Sequence, residues 1–268
     1  MRTKKMVMLC LTLSVITGII GAILRTVTLL AFYSTDSGHF TRGDAGMLPG
    51  LAWGVCVLGL LVSALMCLAS KDALAAYKEK NGKLYTIGAT VAVCAILTVI
   101  FESLSAYMDG DPSARIVNVV ILITAVLSAV AVFSNAFMPV KGIDYMRASL
   151  SVIPAIFVVM PGFRLYFDST LVLNSPNKNV YILAACLIAA MIIYECRFHT
   201  EMSNTAMYVV ACCGAVSFGI FCGVPNLVYS ALNGGRSVIN SMASDLLITC
   251  YAVFAGTQLL SLHRNCRH

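Results

Sequence analysis

Charge is what this chain has least of. Only 11% of its 268 residues are Asp, Glu, Lys or Arg, while 59% are hydrophobic. A soluble domain carries about a quarter charged residues, and its folded surface must stay polar. A large core therefore does not explain the deficit, and a water-soluble globular domain is excluded. Histidine is also scarce, and His39, His199, His263 and His268 all fall outside the long apolar runs. That placement excludes haem ligation inside a bundle and an HExxH metalloprotease. The sequence lacks a GxSxG elbow, a P-loop, a GxGxxG fingerprint and paired aspartates within an apolar run, the arrangements that would carry hydrolysis or nucleotide chemistry. No catalytic residue and no cofactor is assigned, and the chain is not read as an enzyme. It also has no N-x-[ST] sequon and no loop long enough to hold a separate soluble domain.

What is present is apolar sequence in blocks. Eight runs, at about 6–32, 48–70, 84–108, 115–140, 148–166, 180–196, 204–231 and 238–262, approach or exceed the roughly 20 residues that cross a bilayer. The run at 180–196 is the shortest. Lipid offers no hydrogen bonds to the backbone, so a spanning segment is a helix or belongs to a closed barrel. Barrel strands alternate apolar and polar residues over about ten positions. IVNVVILITAVLSAVAVF shows no such alternation. The expected fold is all-α: one membrane domain over 1–268, a polytopic transmembrane helical bundle of about eight spans. The N-terminus, MRTKKMVMLCLTLSVITGII, imitates a secretory signal. Its apolar run continues to Phe32 without a small-x-small cleavage site, whereas a signal core has about 7–15 residues. A retained first helix is expected.

Lys and Arg in short loops set orientation. Twelve of the 18 fall on one side of an eight-span threading: Arg2, Lys4, Lys5, Lys71, Lys78, Lys80, Lys83, Lys141, Arg147, Arg197, Arg264 and Arg267. Five fall on the other, namely Arg42, Arg115, Arg164, Lys178 and Arg236, and Arg25 lies within the first span. Both termini are expected in the cytoplasm of a cell membrane, a bacterial one in the simplest reading. The net charge of +6 then reflects the cytoplasmic face and its attraction to anionic lipid, and calls for no nucleic acid. None of the eleven cysteines falls in an expected external loop, so no disulfide is expected. Cys196 and His199, with His263 and Cys266, are the only cysteine–histidine grouping with metal-like spacing. They fall short of a four-ligand signature, and no metal is assigned.

The two halves, 1–140 and 141–268, each begin inside, and each carries an arginine late in its first helix. They admit a parallel 4+4 repeat of the kind found in secondary transporters. Charge within the membrane is costly and usually faces protein or water. Four such residues, Arg25, Glu102, Arg164 and Asp245, are expected in the outer half, with Asn118, Tyr107, Asn226 and Asn240 near them. The inner half has no comparable set. Three readings compete. The arginines snorkel to the headgroups, with Asp245 at the surface by a helix N-terminus. Or the four charges line one external cavity for a small polar or anionic solute. Or they form an ion-pair network tying helices together.

Proline sharpens the second reading. In PAIFVVMPGFRLYF, Pro154 and Pro161 each remove a helical hydrogen bond, and their spacing puts them near one face. Gly162 follows, then Arg164. In the seventh run Gly219 and Gly223 form a small-xxx-small pair suited to close packing, followed by Pro225. Kinked helices at an outer vestibule are what a gate needs. Gly50 and Gly54 are read as another close-packing pair, with Trp53 at interface level. The expected function is a transporter or permease for a small polar solute. The alternative is a non-transporting subunit or sensor that binds a partner protein through its helices. The lipid bilayer is the surrounding partner in either case.

Overall fold

The computed structural model describes residues 2–34, 39–40, 46–71, 74, 82–108, 112–137, 145–167, 175–200, 204–235, 237–239 and 241–265. Eight long helices account for most of them: α1 (Arg2–Phe32), α2 (Leu48–Ala69), α3 (Lys83–Met108), α4 (Pro112–Phe137), α5 (Tyr145–Phe167), α6 (Pro176–Cys196), α7 (Thr205–Leu232) and α8 (Met242–Asn265). All eight are long and apolar enough to cross a membrane. A two-residue hairpin, β1 (Tyr33–Ser34) with β2 (His39–Phe40), follows α1, and a short 3-10 turn, Arg197–Thr200, follows α6.

The helices start and stop where backbone chemistry requires. Pro49 and Pro176 sit in the first turns of α2 and α6, where a missing N–H costs nothing. Asn204 caps α7 by accepting from the Met207 N–H at 3.2 Å, and Ser241 caps α8 by accepting from the Ser244 N–H at 3.1 Å. Two boundaries move from the expected ones. The sixth helix begins at Pro176 rather than 180 because Ser-Pro is a helix start. The eighth begins at Met242 rather than 238 because Ser241 is its cap, which leaves Val238 and Ile239 in the preceding turn. The expected run-on of the second span towards Asn81-Gly82 lies largely outside the described residues.

α7 is the axis of the bundle and packs against α1, α2, α6 and α8. Along it, small residues bring backbones together. A Cβ on Gly223 would lie 2.0 Å from Thr249 Oγ1 and 2.9 Å from the Asp245 carbonyl, and one on Gly219 would lie 2.7 Å from Ala252 Cβ. The α7–α8 seam is thus the close-packed one that the glycine spacing suggested. Gly50 and Gly54 play no such part, since nothing lies within 4 Å of a Cβ at either position. Gly59 does instead: a Cβ there would meet Thr17 of α1 at 2.6 Å.

The remaining helices run as an arc. α3 packs on α8, α4 on α3, α5 on α4, and α6 on α5 and back onto α7 and α8. Helices α3, α4, α5, α6 and α8 therefore form a ring, with α5 packed on α4 and α6 rather than on α8. This arrangement departs from a parallel 4+4 exchange. Exchange would make α1 pack on α7 as α5 packs on α3, and the first contact is extensive while the second is not among the principal packings. His263 Nδ1 lies 2.9 Å from the Lys4 carbonyl oxygen, so α1 starts and α8 finishes at the same end of the bundle. That end is called proximal below, and the opposite one distal.

Candidate functional site

The distal end gathers the buried polar groups. Arg25, near the C-terminal end of α1, is only 4% exposed. Its guanidinium donates to the Phe221 carbonyl at 3.1 Å, to Asn177 Oδ1 at 2.9 Å and to Asn226 Oδ1 at 2.9 Å, and lies 5.3 Å from the Phe221 ring centroid. Asn226 Nδ2 in turn donates to Asp245 Oδ1 at 2.7 Å. Ser237 Oγ donates to the other carboxylate oxygen at 2.8 Å and accepts from the Ile239 N–H at 3.2 Å. Arg25 and Asp245 are thus opposite charges joined through an asparagine amide. Arginine can only donate and a carboxylate can only accept, so the orientation of Asn226 between them is fixed.

Asp245 combines two of the expected placements. It lies in the first turn of α8, as the surface reading required, yet it is 0% exposed. Pro225, one residue before Asn226, lies within a helix that continues to Leu232. It is buried, as are Pro154, Pro161 and Gly162. α5 is continuous through both of its prolines.

The four charges do not share one cavity. Glu102 and Arg164 line a cleft of about 450 Å3, counted to its open mouth, inside the five-helix ring. Ser103, Pro161, Ser241 and Ser244 line it as well. Glu102 Oε2 accepts from the Ala243 N–H at 3.1 Å, which places a carboxylate on the positive end of α8. Its other oxygen, and the whole Arg164 guanidinium, have no hydrogen-bond partner among the described residues. Arg25 instead lines a second cleft, of about 310 Å3, between α1, α2, α6 and α7. Asp245 is sealed between the two. The single external vestibule expected from the sequence is therefore two clefts separated by the Arg25–Asn226–Asp245 chain.

The satellite residues divide similarly. Asn226 belongs to the chain. Asn118 is buried with its Oδ1 unmatched and stands outside the lining of either cleft. Tyr107 is on the bundle surface, 42% exposed. Asn240 lies outside the described residues.

Several residues escape a sequence reading. Asn177 and Lys178, each 1% exposed, stand in the first turn of α6. The Ser175-Pro176 start would have flagged them. Tyr181 is fully buried beside these groups with its hydroxyl unmatched.

The proximal end holds a smaller polar set built on one carboxylate. Glu195, in the last turn of α6, is 6% exposed. It accepts from Tyr85 Oη of α3 at 2.6 Å and from Gln258 Nε2 of α8 at 3.4 Å. No basic side chain pairs with it among the described residues. These three helices belong to the same ring, so Glu195 links them at the end away from the Glu102–Arg164 cleft. The nearby metal grouping does not assemble among the described residues. Cys196 is buried and His263 is engaged by Lys4, while the His199 side chain and Cys266 lie outside the described set.

Fold and site together define a multi-pass integral membrane protein of the helical-bundle class. Compared with family models, curated proteins and solved structures, the chain matches none of them.

Proposed function

We propose that the protein is a transporter or permease for a small polar or anionic solute, which enters by the Glu102–Arg164 cleft. The observation that carries this reading is the state of the two charges. Both line a cleft inside a ring of helices, yet among the described residues no ion pair joins them and Arg164 has no hydrogen-bond partner. A charge left this way normally finds a partner, and a solute's anionic group would supply it. The α8 N-terminus adds to the attraction for an anion, while the free oxygen of Glu102 suits an ammonium. The tie of Tyr85, Glu195 and Gln258 at the far end of the ring supports a resting form open at one end only. Pro161 lines the cleft on the one ring helix with two internal prolines, which suits α5 to moving. The twelve-to-five distribution of Lys and Arg supports an orientation with the open end outside a cell membrane and both termini in the cytoplasm.

The test uses the protein in nanodiscs, with its thermal unfolding followed in millimolar glycine, serine, lactate, succinate or phosphate. At least one of these probes stabilises the wild type, and Arg164→Gln abolishes that shift without changing the unliganded midpoint. If none stabilises it, or if Arg164→Gln responds as the wild type does, the reading fails.

One observation favours the alternative of a partner-binding subunit. Among the described residues α2 packs chiefly on α1 and α7, and Leu51, Leu58 and Leu65 repeat every seven residues on its exposed side, a spacing that suits a seam with another helix. A stoichiometric second chain that co-purifies with the wild type and is lost on Leu58→Ala would favour that reading.

A further inference from the structure

The second cleft differs from the first in kind. Its walls are Phe40, Pro49, Ala52, Trp53, Val180 and Phe221, and its base is Arg25 and Asn177. Among the described residues no carboxylate lines it. Three N–H groups of Arg25 are used, and all three go to neutral oxygens. Its counter-charge, Asp245, lies one asparagine away. Because Arg25 can only donate, Asn177 must turn its oxygen towards it, and that fixes the amide nitrogen on the other side. Asn177 is 1% exposed, and that Nδ2 has no hydrogen-bond partner. A buried donor without a matched acceptor is costly, so it marks a place where an acceptor belongs.

Two helices begin at this cleft. α2 and α6 both have proline in the first turn, and neither receives a side-chain cap from its N-cap residue, Met47 or Ser175. Their positive ends add to Arg25. Tyr33, outside the membrane helices, has its phenol pushed up chiefly by burial, against the lowering pull of the Asn177 amide and the Arg25 charge beside it. The mouth is flanked by Trp53, an aromatic of the type that settles at the headgroup level, and by the exposed apolar side of α2.

We infer that this cleft binds the anionic headgroup of an acyl-chain lipid. An oxygen of the headgroup accepts from Asn177 Nδ2 and faces Arg25, the first methylenes lie on Trp53 and Phe221, and the rest of the chain runs out into the bilayer. A fatty-acid carboxylate and a phospholipid phosphate share the required chemistry.

Trp53 is the chain's single tryptophan, so intrinsic fluorescence reports on this cleft alone. Detergent-purified protein is titrated with 9,10-dibromostearate, whose bromines quench indole on contact, and with the corresponding dibrominated alcohol. The acid quenches saturably at a concentration at least tenfold lower than the alcohol. Asn177→Asp keeps the oxygen that Arg25 needs and replaces the donor with a repelling oxygen. It raises the half-quenching concentration for the acid at least tenfold and leaves the alcohol curve unchanged. Coincident acid and alcohol curves for the wild type overturn the inference without recourse to any variant, as does an Asn177→Asp protein that binds the acid normally. Vesicle reconstitution separates the sources. Quenching by dibrominated phosphatidylglycerol beyond that by dibrominated phosphatidylcholine assigns a phospholipid, and quenching by free dibromostearate in phosphatidylcholine vesicles assigns a fatty acid. If neither exceeds brominated phosphatidylcholine, the site is not selective for an anion and the inference falls.

Discussion

Asn226 does at residue scale what a direct ion pair would otherwise do. It spans Arg25 and Asp245 with one hydrogen bond to each, so neither charge is left alone in the interior. Breaking a buried charged set by removing one member costs about 3–5 kcal/mol. Asp245→Leu strands the Asn226 amide, the Ser237 hydroxyl and the Arg25 charge together. Its unfolding in detergent is expected to shift by that amount, whereas Asp245→Asn, which keeps an acceptor, shifts by less than half as much. Gly223 makes a second test at this scale. A methyl there meets a side-chain oxygen at 2.0 Å and a backbone carbonyl at 2.9 Å. Overpacking of this sort costs about 1–3 kcal/mol. Gly223→Ala should lower the unfolding midpoint, and adding Thr249→Ala should restore only part of it, because the carbonyl cannot retreat. Gly162→Ala, with the nearest atom at 3.6 Å, should be close to neutral.

At the scale of the element, the ring end tied by Glu195 is held by two bonds from two other helices. Hydrogen bonds in membrane bundles average near 0.6 kcal/mol and reach about 1.7, and a 2.6 Å bond to a carboxyl group belongs at the upper end. Tyr85→Phe should therefore cost about 1–2 kcal/mol and speed amide exchange in the last turn of α6, with exchange in α1 unchanged. Helix α5 yields a different expectation. Pro161→Ala restores a backbone donor within a helix that is already continuous, so it should leave stability unchanged or raise it while slowing any uptake that depends on α5 moving.

The elements themselves were legible in the sequence because apolar length is a strong signal. All eight helices fall where the runs predicted, with ends shifted by a few residues. The pairing of charges was not legible. Arg25, Glu102, Arg164 and Asp245 stand out in the sequence as charges within or at the ends of apolar runs, but which of them meet depends on helix rotation, and one residue turns a side chain by about 100°. Glu195 was missed for a related reason. At the last turn of a short span, a carboxylate reads as a boundary residue, and only packing against α3 and α8 shows that it is interior.

At the scale of the whole molecule, the shared end of α1 and α8 makes the number of crossings even. Cysteine placed at Met47 or Asn233, both exposed near the distal end, should react with a membrane-impermeant maleimide from outside intact cells. Cysteine at Lys83 or Arg197 should react only after the membrane is opened. Native cysteines, mostly buried or set in apolar helices, should give little background, since maleimide needs a hydrated thiolate. Reversed labelling would invert the orientation and leave the bundle intact.

The order of synthesis has its own consequence. The helix at the centre, α7, is seventh of eight, and its packing partners are first, second, sixth and last. Its glycine seam has no occupant until α8 leaves the ribosome. A chain interrupted after Leu232 would sit in the bilayer with that seam, Arg25 and Asn226 all lacking the side chains that neutralise them. Such a chain is a ready substrate for membrane quality control, and assembly of this bundle waits on Met242–Asn265.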